Sequence, residues 1–215
     1  MKPPEHYILP STEAFENDPL GYSALSWHRW AMLQTIAGFP TDPGRQPSAE
    51  ELRSPVLWLC QAQALTEAAA TIVHATPEFS ALPAKFHGIL DGQYRAAGLM
   101  LVGYSLEVCL KAMIIVREGV EGYLSAERGR LHHDLVKLAD FVPALDDKDK
   151  AILRSLTHFV RWAGRYPAPK PGQENALEEV FQASETHKVS ARDLFNVAAR
   201  VMGHIRTVLE TEDRQ

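Results

Sequence analysis

Three arginines and a histidine in the second half of the chain fall at a spacing that places them on one side of a helix. In chain order they are Arg154, His158, Arg161 and Arg165. Their separations of four, three and four residues follow the helical repeat. A guanidinium remains charged and offers planar pairs of N–H donors, so this row suits phosphate groups. The alternative is a solvated helix face that nearby acids, such as Asp147, balance.

Positive charge is concentrated around this row. Residues 128 to 170 contain nine Lys or Arg against five Asp, whereas the 215-residue chain carries a net charge of -5. A chain with net negative charge has no general attraction to nucleic acid or to an anionic membrane surface. The sequence therefore predicts that any site for a polyanion is local and lies in this segment.

The most apolar stretch, residues 96 to 116, contains only two charges, Glu107 and Lys111. Its length raises the possibility of a membrane span, which requires about 20 residues, but two charges near its middle would each be costly in lipid. With the acid first and four residues apart, the two side chains share a helix face and support each other. We predict a central bundle helix whose ion pair either fixes packing or belongs to a polar pocket.

Other polar pairs carry weaker signals. His132 and His133 have no further ligands at a recognised metal-binding spacing, and no metal or other cofactor is predicted. Arg200 and His204 are one helical turn apart, off the apolar stripe of the last predicted helix, and form either a catalytic pair or an exposed flank.

Composition favours a cytoplasmic globular protein. The hydrophobic content of 46% is enough for a sizeable core. The two cysteines, Cys60 and Cys109, both lie in apolar helical surroundings, which predicts buried thiols in a reducing compartment. The first residues include several acids and no apolar segment, so neither a signal peptide nor a transit peptide is expected.

Helix signals predict an all-α fold, an antiparallel bundle of four long helices with additional short helices. The long helices are expected from Pro55 to about His74, from residues 86–94 to 119–122, from Asp147 to residues 164–167, and from Ser190 to about residue 210. Shorter ones are expected at 22–37, after Asp134, and as one or two turns at 177–181. We divide the chain into an N-terminal extension and linker (1–54), the bundle (55–210) and a polar tail (211–215).

Three segments in this order resemble the HEPN superfamily, in the branch with the motifs A-x-E-x-x-L-K-A, H-D-L-x-x-L and R-Y-P. The matching residues are Glu107, Leu110, Lys111 and Ala112, then His133, Asp134, Leu135 and Leu138, then Arg165, Tyr166 and Pro167. Ser105 stands where the first alanine of the first motif would be. The resemblance covers roughly residues 55 to 210.

This resemblance implies a small helical bundle, usually dimeric, that binds nucleotide or RNA and is often paired with a minimal nucleotidyltransferase in toxin–antitoxin or defence systems. Active members are metal-independent ribonucleases that use an arginine and a later histidine with four to six residues between them. Here three residues separate Arg154 from His158. We therefore predict a non-catalytic homodimer, with no membrane association, whose binding residues are Arg154, His158, Arg161, Arg165, Tyr166 and His133.

Two alternatives stay open. One is a metal-independent ribonuclease toxin that assembles an Arg154 and His158 pair across a dimer. The other is a helical bundle that binds only a protein partner, its basic stripe meeting an acidic surface.

Overall fold

The computed structural model describes residues 9–126, 129 and 132–212, which contain helices and no strand. This confirms the predicted all-α class. The chain divides into two compact units, one that ends at Leu57 and one that begins at Trp58.

In its described part, from residue 9 onward, the first unit contains three short α-helices before residue 37, where the sequence predicted one helix. They are α1 (Thr12–Asn17), α2 (Pro19–Ala24) and α3 (Ser26–Ile36). The Ser11 hydroxyl accepts a hydrogen bond from the N–H of Ala14 and so caps α1. Asp18 caps α2 in the same way through Gly21, with Pro19 at the first helical position. These two caps start helices that apolar periodicity does not reveal.

The second unit contains the long helices. They are α4 (Pro55–His74, whose first turn belongs to the first unit), α5 (His87–Ser125), α6 (Leu135–Leu138), α7 (Asp147–His158), α8 (Asn175–His187), α9 (Ala191–Gly203) and α10 (Ile205–Glu212). A π-helical turn, Phe159–Ala163, continues α7. Helix α8 is longer than the one or two turns predicted, and the predicted last helix is divided at His204.

Helix α5 is the centre of the second unit. It contacts α6, α7, the π turn, α9 and α10, and Leu106 and Leu110 have no exposed surface. Gly119, where the sequence predicted the helix to end, has a positive φ of 71° and kinks it, but helical structure resumes and continues to Ser125. A glycine tolerates this backbone angle because it has no Cβ.

Two glycines allow α5 to approach α7 and the π turn closely. A Cβ on Gly103 would lie 2.5 Å from Cγ2 of Val160 and 3.2 Å from the carbonyl oxygen of Leu156. A Cβ on Gly164 would lie 2.3 Å from Cβ of Met100. These contacts fix the position of the π turn against the central helix.

Replacing Gly103 with alanine is expected to lower the free energy of unfolding by about 1–3 kcal/mol, the usual cost of overpacking a core. The matched control is Gly203→Ala in α9, where no atom lies within 4 Å of the new Cβ; there the gain in helix propensity should leave stability unchanged or raise it by up to about 1 kcal/mol. Urea unfolding measures both, and equal effects of the two substitutions would contradict the packing argument.

The two cysteines differ in exposure. Cys109 is buried in α5, and burial raises the pKa of its thiol to about 11. Cys60 is exposed on α4, so the prediction of two buried thiols is wrong for this residue. The apolar residues around Cys60 in the sequence do not enclose it, because only Ala62 and Ala69 of α4 are buried.

Among the described residues, two helices are long and apolar enough to cross a bilayer by length and composition alone, residues 55–74 and 84–125. In the second, 67% of the most apolar window is buried inside the protein, as in the core helix of a bundle. In the first, the corresponding share is 11%.

Candidate functional site

The π turn, the loop after it, the start of α8 and the segment before α6 enclose a cleft of about 710 Å³, which we call the basic cleft. The side chains and backbone that line it belong to His133, His158, Arg161, Trp162, Arg165, Lys170, Gly172, Gln173, Asn175, Ala176 and Glu179. Four of the six residues predicted from sequence to bind phosphate, namely His133, His158, Arg161 and Arg165, therefore lie around one cleft.

The π turn presents the arginines to this cleft. The N–H of Gly164 donates to the carbonyl of Phe159 at 3.1 Å, a hydrogen bond that spans five residues and widens the helix. Trp162 is 8% exposed and packs inward, whereas Arg161 lies on the exposed side of the turn. The indole N–H of Trp162 is buried without a hydrogen-bond partner among the described residues. Wide turns of this kind are frequent at functional sites.

A buried charged network holds one wall of the cleft. Glu107 accepts a hydrogen bond from the ammonium of Lys111 at 2.8 Å, and its other oxygen lies 2.8 Å from Nδ1 of His133. The side chains of Glu107 and Lys111 are only 7% and 9% exposed, while that of His133 is 42% exposed. The Tyr104 ring meets the His133 ring edge to face, with centroids 6.2 Å apart. The central helix thus fixes a histidine at the edge of the cleft.

The segment after His133 is held against α7 by its own hydrogen bonds. The Asp134 carboxylate caps α6 by accepting from the N–H of Lys137 at 3.2 Å. The N–H of Leu135 donates to the Thr157 hydroxyl at 3.1 Å, and that hydroxyl donates to the carbonyl of Leu153 at 2.9 Å. The spacing of the H-D-L-x-x-L motif is explained by this arrangement, in which the histidine faces the network, the aspartate caps and the leucines are buried.

Removing the cap of α6 by Asp134→Ala is expected to cost about 1 kcal/mol at pH 7, the typical value for an N-cap. Burial raises the pKa of this carboxyl, but the hydrogen bonds and charge of Lys137, with the charge of Arg161, together hold it below its ordinary value. Because the folded-state pKa is lowered, the ionised carboxylate stabilises the folded protein at pH values above the unfolded-state pKa of about 3.9. This stabilisation is lost as the pH falls through the folded-state pKa. The stability difference between wild type and variant should therefore shrink below about pH 4 in urea unfolding series, and a pH-independent difference would contradict this account.

His158 has a carboxylate partner on the other side of the cleft. Its Nε2 lies 3.1 Å from a carboxylate oxygen of Glu179 on α8, and its side chain is 14% exposed. Glu179 itself is 58% exposed. Two histidines, each next to a glutamate, therefore line the same cleft.

The other two predicted binding residues lie outside the basic cleft. Arg154 lines a neighbouring groove of about 240 Å³ between α7 and α8, which shares His158 and Glu179 with the cleft. Tyr166 is 58% exposed, and the guanidinium of Arg165 lies 5.7 Å from the centre of its ring. The groove and the cleft run along one seam of the second unit.

Sequence reasoning missed the residues that the loop and α8 bring to the cleft. These are Lys170, Gln173, Asn175 and Glu179. Lys170 was counted in the basic segment, but its loop has no periodicity that could predict which way it folds. The longer α8 is signalled only by the run from Asn175 to His187 without proline or glycine.

Arg200 is exposed, as the exposed-flank interpretation expected, but it also forms an ion pair. Its guanidinium binds both carboxylate oxygens of Asp149, at 2.6 and 3.0 Å. Asp149 is buried and also forms a capping box with Asp146 at the start of α7. This ion pair joins α9 to α7. Asp149 therefore forms its ion pair with Arg200 and not with an arginine of the row that begins at Arg154. His204, the other member of that pair, lies with its ring centre 6.0 Å from that of Phe141.

The adjacent histidines face different cavities. His132 lines a second polar cleft of about 440 Å³ with Arg117, Lys137 and Asp140. Desolvation lowers the pKa of His132. Within the described ranges, no three His, Cys, Asp or Glu side chains are grouped so that they could hold a metal ion.

Comparison of the chain with protein-family models, with curated proteins and with solved structures finds no match.

Proposed function

We propose that this protein binds the phosphate groups of a nucleotide or RNA in the basic cleft, as a non-catalytic module that resembles HEPN domains. The observation that carries this proposal is the convergence of Arg161, Arg165 and Lys170 on one cleft in a chain whose net charge is -5. These three cations line one polar cavity, in which Glu179 is the one acidic side chain of the described lining.

The chemistry of the other wall residues supports a nucleotide over a simple anion. Gln173 and Asn175 carry amides that both donate and accept hydrogen bonds, which suits the edge of a base. A cleft of about 710 Å³ is within the size range of small-molecule and cofactor sites. The neighbouring groove with Arg154 extends the polar surface, as a ligand of several nucleotides requires.

The rest of the proposal follows from the resemblance. We propose that α4, α5, α7 with its π turn, and α9 with α10 are the four main helices of a HEPN-like antiparallel bundle. We further propose a cytoplasmic homodimer without membrane association, paired with a minimal nucleotidyltransferase in a toxin–antitoxin or defence system.

The proposal is tested with an end-labelled mixed RNA pool in EDTA, analysed on native and denaturing gels. Intact RNA that shifts on the native gel, with a shift that weakens as salt is raised, is the expected result. A protein that leaves the RNA unshifted at low salt would overturn RNA binding, and a protein that binds neither RNA nor a nucleotide would favour the protein-partner alternative.

A metal-independent ribonuclease is the second candidate. The observation that favours it is the pair of histidines in one cleft, His133 beside Glu107 and His158 beside Glu179, because general acid–base catalysis uses oriented histidines. The same denaturing gel distinguishes this activity from non-catalytic RNA binding. Cleavage in EDTA that His158→Ala abolishes would establish this activity and overturn the non-catalytic assignment.

A further inference from the structure

We propose that Glu107 and His133 together read a ribose hydroxyl, so that the basic cleft prefers RNA to DNA. This inference rests on the proposed function and specifies its ligand. Glu107 is the positioning residue, and His133 is the residue that contacts the ligand. The argument starts from the 2.8 Å contact between the Glu107 carboxylate and Nδ1 of His133.

The carboxylate determines which ring nitrogen of His133 carries the proton. An ionised carboxylate only accepts hydrogen bonds, so the neutral imidazole donates from Nδ1. The ammonium of Lys111 lies 2.8 Å from the other oxygen of the Glu107 carboxylate. Nε2, on the opposite side of the ring, is then an acceptor without a proton. Because His133 lines the basic cleft and its Nδ1 is occupied by Glu107, Nε2 is the nitrogen left for a ligand.

Nε2 of His133 differs from the cations of this cleft, because it accepts a hydrogen bond, as the Glu179 carboxylate and the amides of Gln173 and Asn175 also can. Arg161, Arg165 and Lys170 only donate hydrogen bonds, and they satisfy the oxygens of a phosphate. Nε2 of His133 instead needs a ligand group that donates. In RNA a hydroxyl donor lies next to every internal phosphate, on the 2′ carbon of the ribose, and DNA lacks it.

The buried network supports a functional role because it contributes little to stability as a pair. Two charges removed from water lose hydration that their mutual attraction only partly restores, so apolar residues of the same size often serve a core as well. Glu107 and Lys111 are buried in the central helix α5, and the second oxygen of Glu107 contacts a histidine that is part of the cleft wall. Packing alone does not require that third member.

The charged groups around His133 belong to several elements. Glu107 and Lys111 come from α5, and Arg161 and Glu179 line the same cleft from the π turn and α8. Asp134 and His132 are its neighbours in the chain. Binding is measured at about pH 8, where histidine side chains in general are uncharged.

The experiment compares fluorescein-labelled oligouridine and oligodeoxyuridine of equal length by fluorescence anisotropy. Wild type should bind the RNA about threefold to tenfold more tightly than the DNA, because one neutral hydrogen bond contributes about that factor to the affinity. His133→Ala and Glu107→Gln should each remove the preference by weakening RNA binding while leaving DNA binding nearly unchanged. The matched control, Lys170→Ala, should weaken both ligands by the same factor.

Each outcome is decisive. Equal affinity of wild type for the two oligonucleotides would overturn this inference and leave the proposed function intact, whereas no binding of either would overturn the proposed function. A preference that survives Glu107→Gln but not His133→Ala would overturn the positioning role. Should Glu107→Gln fail to fold, 15N NMR of the wild-type imidazole decides that role, because a protonated Nδ1 with an unprotonated Nε2 is required.

Discussion

Replacing Glu107 with alanine is expected to lower the free energy of unfolding by about 3–5 kcal/mol, the cost of breaking a buried ion pair. The substitution leaves the ammonium of Lys111 in the core, where its side chain is 9% exposed, without the carboxylate 2.8 Å away. A loss of this size is a large share of the 5–15 kcal/mol that stabilises a typical domain. In a thermal melt it corresponds to a fall in Tm of roughly 6–20 °C.

The control for this prediction removes both charges. Glu107→Leu combined with Lys111→Met replaces the pair with apolar side chains of similar size, and such replacements are often neutral or stabilising. The double variant should therefore be more stable than Glu107→Ala by several kcal/mol in urea unfolding. A double variant as unstable as the single one would mean that the pair itself stabilises the core.

Replacing Arg161 and Arg165 together with alanine is expected to weaken RNA binding about a hundredfold at low salt. Each hydrogen bond from a charged donor contributes about 1.5 kcal/mol, close to a factor of ten in affinity. Both side chains are exposed on the cleft, so their loss leaves the core unchanged and the circular dichroism melt should match that of wild type. Fluorescence anisotropy with a labelled single-stranded RNA measures the change.

The control for the arginine variant removes the same charge elsewhere. Arg192 and Arg206 are exposed on α9 and α10 and lie outside the basic cleft. Arg192→Ala with Arg206→Ala should weaken binding by less than about threefold, because distant charges act only through the screened field of the whole protein. Equal losses in the two double variants would show that net charge, rather than the cleft, governs binding.

Much of the fold is predictable from the sequence because its signals are local. Ser54 and Pro55 predict the start of α4, and the apolar run predicts α5. Asp134 and the two leucines after it predict α6. The capping box of Ser190 and Asp193 starts α9 as expected. Capping and periodicity depend on residues within a few positions of each other, so a single sequence carries them.

The arrangement of side chains around the cleft depends on contacts between residues that are far apart in the chain. The sequence pattern gives little indication of such contacts. Glu107 and His133 are 26 residues apart, and nothing in the spacing says that they touch. Asp149 and Arg200 are 51 residues apart, and helical periodicity places the arginine toward solvent without indicating its ion pair. Glu179 reaches His158 only because the loop after the π turn folds α8 back along α7. Tertiary packing, rather than propensity, decides each of these pairs.

The π turn is a second feature that periodicity could not predict. The row of Arg154, His158, Arg161 and Arg165 was placed on one face of a regular helix, but the helix widens at Phe159. Arg154 lies on the groove and the two later arginines lie on the cleft, while His158 lines both. Close packing at Gly103 and Gly164 accompanies this change, and it involves a helix that is remote in sequence.

The salt dependence of RNA affinity tests the phosphate-binding cleft most directly. The affinity of a labelled single-stranded RNA is measured by anisotropy over a series of salt concentrations and plotted as logarithm against logarithm. Three cations, Arg161, Arg165 and Lys170, predict a slope of about -2, since each neutralised phosphate on a single strand contributes about -0.7. A slope near zero, or a slope unchanged when the arginines are replaced, would contradict binding through this cleft.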